Sequence, residues 1–122
     1  MFLKGDYDTA VFKALKKVEI GVRDAVSTVE GTRCTQNGAG LMRYAFRADK
    51  GALTDRSITN SNERESYGHM FAGVFGCYRN PTGHRDVEMV AEEAVEIIML
   101  TNHLLRIVNA ALARHSSAVV TT

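Results

Sequence analysis

Pro81 is the only proline in 122 residues, and on both sides of it apolar residues recur at 3- and 4-residue steps. Proline lacks an N–H and pushes the preceding residue out of helical dihedrals, so Asn80 marks a break between two helical stretches. Strand-type alternation is weak throughout, and neither a repeat nor a low-complexity tract occurs. The expected fold class is therefore all-α, a four-helix bundle with a long C-terminal helix.

The first helix is expected over residues 6–29, where Val11, Leu15, Val18, Val22, Ala25, Val26 and Val29 form one apolar stripe. Asp8 is placed to cap it, and Lys13, Lys16, Lys17, Glu19, Arg23 and Asp24 read as its wetter faces. After a glycine-rich loop, a short helix over 39–48 presents Leu41, Met42, Ala45 and Phe46 to the core. A second loop follows, with Leu53 and Ile58 as its apolar pins. Asn62, with Glu65 three residues on, reads as a capping box opening the third helix. In that helix Tyr67, Met70, Phe71, Val74, Phe75 and Tyr78 form the apolar face, and Cys77 reads as a small buried hydrophobe. Gly68, Gly73 and Gly76 each cost roughly 1 kcal/mol against Ala in a helix interior, which suggests close approach of another backbone. The last helix is expected over 86–114, so that residues 1–115 form the domain and 116–122 a flexible tail. It is apolar on most of its circumference, as befits a central helix or a subunit interface. Thr101, Asn102, His103 and Asn109 interrupt the run, so a membrane span is not expected.

Fifteen basic residues against fourteen acidic ones leave a formal charge of +1, too little for a broad nucleic-acid binder. Any RNA contact must be local. The one basic bias lies in residues 33–56, where Arg33, Arg43, Arg47, Lys50 and Arg56 face only Asp49 and Asp55. That bias reads either as ordinary surface or as a phosphate-tracking rim, with Arg43 and Arg47 its candidate RNA contacts. Two cysteines, Cys34 and Cys77, make neither a disulfide framework nor a zinc site, which suits a reducing cytoplasm. The N-terminal residues carry two acids and no long apolar core, so they are not a signal peptide. The chain reads as either a minimal protein or the C-terminal part of a longer one. No His-x-x-x-His or Glu-x-x-His pair and no phosphate-binding glycine loop occur, so neither a metal nor a cofactor is expected.

The break at Pro81 also gathers Tyr78, Arg79, Asn80, His84 and Arg85. In one straight helix Arg79 and His84 would point to different faces, and a turn allows them onto one surface. Arg offers a fork of donors that matches a phosphate, and His titrates nearest neutrality. Asn80 is placed to hold substrate or imidazole, or to cap the long helix with Pro81 at its first position. The same residues also suit a plain helix–turn–helix connector, and spacing alone does not choose between the two.

The stretch Arg79-Asn80-x-x-x-His84 resembles the motif of the HEPN superfamily (higher eukaryotes and prokaryotes nucleotide-binding). Segments 6–14, 40–46 and 70–81, together with His84, are similar to one prokaryotic branch of it, and the likeness covers about residues 5–113. The resemblance implies a helical bundle acting as a two-fold homodimer, with two motifs in one composite cleft. It implies a metal-independent endoribonuclease that leaves 2′,3′-cyclic phosphate ends, serving as a toxin, in abortive infection or phage defence, or in RNA processing. Arg79, Asn80 and His84 are the implied catalytic residues, with Tyr78 and Arg85 as candidate RNA-binding neighbours. The implied partners are RNA, a second copy of the chain, and an antitoxin or fused domain. Inactive members bind nucleotides or proteins, so a non-catalytic nucleotide-binding or dimerisation module of a larger defence protein is the alternative expectation.

Overall fold

The computed structural model describes residues 6–78 and 89–121. Four helices run through them: α1 Asp6–Glu30, α2 Gly38–Ala45, α3 Ser61–Tyr78 and α4 Ala91–Thr121, with no strand among the described residues. The molecule is an all-α helical bundle.

α1 buries Val11, Leu15, Val18, Val22, Ala25 and Val26. Burial of such a side chain is worth about 1.5–3 kcal/mol relative to exposure, so this stripe is the spine of the core. Two helix pairs share it. α4 packs mainly on α1, where Leu105 Cδ2 comes within 3.2 Å of the position a Cβ on Gly21 would take. α2 packs mainly on α3 through Phe46 and Phe71, whose ring centroids are 4.7 Å apart. α4 barely touches α2 or α3, and a cavity of about 150 Å³ between Phe46 and Tyr67 on one side and Ile107 and Ala110 on the other separates them.

α1 ends at Gly31, whose φ of 72° suits the left-handed position that closes a helix, and its N–H donates to Ser27 O. At the start of α2, Asn37 is extended and supplies no side-chain cap. Glu19 supplies it instead, accepting a 2.6 Å bond from the N–H of Gly38, itself at φ 62°. Glu19 is thus buried at 1% exposure, contrary to its expected place on a wet face. Arg23 and Lys16, at 3.7 and 3.9 Å, offset its charge.

Several other boundaries differ from expectation. α2 stops at Ala45, and Phe46 is buried just beyond it. The cap of α3 is Asn60, whose Oδ1 accepts from the N–H groups of Asn62 and Glu63, so Asn62 lies inside the helix. Of the three glycines of α3, only Gly68 lies against another helix among the described residues, where an added Cβ would sit 3.3 Å from Phe46 Cβ and 3.5 Å from Arg43 Cα. Gly73 and Gly76 have nothing within 4 Å of that position among the described residues. Cys77 is exposed, because it lies off the Phe71–Val74–Phe75 face. The expected tail is helical to Thr121, since residues 116–121 contain no glycine or proline to stop α4. By length and composition Ala91–Val119 would also suffice to cross a membrane, although Ala94, Ile97, Leu104, Val108 and Ala111 are buried in the core.

Candidate functional site

α3 ends at Tyr78, half-buried against the core, and α4 begins at Ala91 with Glu92 and Glu93 in its first turn, where the helix dipole favours acids. The sequence motif falls between them. Arg79, Asn80, His84 and Arg85 lie outside the described residues, and so does the start of the last helix expected at Asp86.

The basic segment before α3 resolves into two kinds of arginine. The first kind holds the 47–59 loop by its carbonyls. Arg64, which sequence inspection missed, donates from Nε to Ala48 O at 2.9 Å and from Nη1 to Ile58 O at 2.7 Å. Its Nη2 lies 3.4 Å from Asp49. Arg56 donates to Asp49 O, and Arg114 reaches from α4 to Leu53 O at 3.3 Å. Arg47 donates from Nη2 to Lys50 O at 3.4 Å and from Nε to Tyr44 O in α2 at 3.0 Å, while its guanidinium lies 4.0 Å over the Tyr44 ring. These fixed cations serve the loop first, so the net basic bias overstates the charge open to a ligand. No periodicity marks them, because their partners are main-chain oxygens of a loop.

Arg43 is the second kind. It is exposed and has no hydrogen bond or ion pair among the described residues. Arg43 and Arg47 line a cleft of about 140 Å³ between α2 and α3, completed by Ala48, Glu65, Gly68 and His69. Glu65 Oε1 is 3.9 Å from His69 Nε2. At Gly68, in the lining, the two helices make their close contact.

A larger groove of about 460 Å³ runs between the end of α1, the 50–57 loop and the last turns of α4. Asp55 lies in it. Bonds from the Ser57 hydroxyl and N–H, with Arg114 nearby, hold its carboxyl below the ordinary 3.8. Tyr44 is pushed above its usual 10.0, chiefly because its hydroxyl donates to Glu30 at 2.6 Å. Among the described residues no group of three or more His, Cys, Asp or Glu is placed to hold a metal ion.

The fold defines a small helical-bundle protein with a cleft lined by two arginines between α2 and α3. Residues 1–108 match a family model described as a protein of unknown function (Hypoth_ymh), and the chain belongs to that family. No curated protein and no solved structure matches the chain.

Proposed function

We propose that the chain is a metal-independent endoribonuclease of the HEPN type, working in the cytoplasm as a two-fold dimer in phage defence, abortive infection or as a toxin. One observation carries this reading. Arg79-Asn80-x-x-x-His84 follows directly on Tyr78, so in sequence the whole motif falls in the connection between α3 and α4 of an all-α bundle. RNA brings its own nucleophile. The 2′-oxygen attacks the adjacent phosphorus, a P–O2′ bond forms, and the P–O5′ bond breaks. His84 takes the 2′-OH proton, and the partner's His84 protonates the departing 5′ oxygen. Arg79 neutralises the charge on the crowded phosphorane, and Asn80 holds substrate or imidazole. Each acid–base step is worth about 10²–10⁴-fold, and charge stabilisation a comparable factor.

His84→Ala and Arg79→Ala are expected to abolish RNA cleavage and relieve toxicity while the helical CD spectrum is unchanged. Cleavage at the parent rate by the His84 variant would remove it from the mechanism. In sedimentation the parent is expected to be a dimer, and a concentration-independent monomer would contradict the composite cleft.

A non-catalytic nucleotide-binding or dimerisation module is the second reading. It is favoured by the commitment of Arg47, Arg56 and Arg64 to loop carbonyls, which leaves few cations for a long substrate. Nucleotide affinity without RNA turnover would select it.

A further inference from the structure

We infer that the α2–α3 cleft is a phosphate subsite for single-stranded RNA, remote from the point of cleavage; this rests on the ribonuclease reading above. Arg43 projects an uncommitted guanidinium at one edge of the cleft. Arg47 lines it too, held by Tyr44 beneath its plane and by bonds from Nε and Nη2 to main-chain oxygens, which leave Nη1 without a protein partner among the described residues. A cation fixed in this way loses little freedom on meeting a phosphate, and guanidinium donors match phosphate oxygens in pairs. Gly68 lets α2 and α3 pack closely there, and Glu65 and His69 of α3 line the cleft beside the two arginines. Glu65 is the one anion in the lining and works against the site.

Position along α3 gives the subsite its consequence. Glu65 and His69 lie thirteen and nine residues before Tyr78. At about 1.5 Å per residue the cleft therefore lies roughly 14–20 Å from the end of the helix. A stacked strand advances about 3.4 Å per nucleotide, so roughly four to six nucleotides separate the two places. Short RNA reaches only one of them. Affinity should rise with length until a strand spans both, then level off.

The test uses the parent protein with 2′-O-methyl oligouridylates, which cannot be cut by 2′-OH attack. Fluorescence anisotropy would compare a dinucleotide with a strand of about twelve nucleotides, a length within the range of single-strand sites. The parent is expected to bind the longer strand at least about tenfold more tightly. Arg43→Glu should weaken that binding about tenfold and lower the slope of log affinity against log salt by about one. Glu65→Gln should tighten it by a few-fold. Both positions are exposed, so neither change threatens the fold. Variants that bind as the parent does, or a parent with no preference for length, would overturn the subsite. Loss of the nuclease reading looks different: Arg43→Glu and Glu65→Gln shift affinity as stated, yet ordinary RNA stays intact with the parent.

Discussion

Replacing Gly51 by alanine should damage the fold more than any other single methyl group added to a glycine. Gly51 sits where the chain turns back on the end of α2, and its N–H donates to Arg47 O at 3.0 Å. A Cβ there would collide with Thr54 Oγ1 and lie 2.5 Å from Arg47 N and 2.6 Å from Ala45 O. Two of these neighbours are backbone, and Thr54 is fixed by its own 2.6 Å bond to Arg47 O. The turn must therefore retreat by about an ångström, beyond the reach of good hydrogen-bond geometry. Retreat breaks the Gly51 and Thr54 bonds and the 2.9 Å bond from Leu53 N to Ala45 O, and it draws Leu53, 1% exposed, from the core. Three bonds at about 0.5–1.5 kcal/mol each give a loss of roughly 2–4 kcal/mol. For a domain of this size that lowers Tm by roughly 8–16 °C. Thermal unfolding followed by CD measures it. A Gly51→Ala protein melting within about 2 °C of the parent would refute the packing assigned to this turn.

The opposite outcome is expected for Gly73→Ala and Gly76→Ala. Both are exposed helix positions with open space at the Cβ among the described residues, so each should stabilise by roughly 0.5–1 kcal/mol in chemical denaturation. Glu19→Ala leaves the half-buried Gly38 N–H without its acceptor, and urea unfolding should show a loss of about 1–3 kcal/mol. Asp55 has its pKa lowered by the fold, so its contribution is fully present above the ordinary 3.8 and is lost as pH falls through the lowered value. Asp55→Asn should therefore lower Tm near neutrality, and the gap should narrow as pH falls below the ordinary 3.8; a gap that stays constant on acidification would contradict the assignment.

The helices were legible where one residue type repeats on one face. The valines of α1 mark its stripe and nearly its ends: Val11, Val18, Val22 and Val26 are buried as spaced, and Val29 is half-buried. Asn60-x-x-Glu63 and Asn62-x-x-Glu65 offer the same capping signal two residues apart, and only the fold of the preceding loop selects Asn60. Glu19 looks solvated in its own helix. Its burial is set by the arrival of Gly38 nineteen residues later, which local periodicity does not contain. The same holds for Gly68, whose neighbour Phe46 is on another helix, against Gly73 and Gly76, which share its residue type but not its contact. The Arg79–His84 motif stands out in the sequence because its members are close together, and it lies outside the described residues. The Arg43–Glu65–His69 cleft could not, because α2 and α3 must pack before those residues meet.

The central claim is best tested by the chemistry of the ends. Purified protein and its His84→Ala variant would be incubated with a mixed RNA pool in EDTA, and the 3′ termini identified. The account predicts 2′,3′-cyclic phosphates from the parent alone, with the variant folded and inert. Intact RNA with a folded parent dimer, or equal cleavage by the variant, would contradict it.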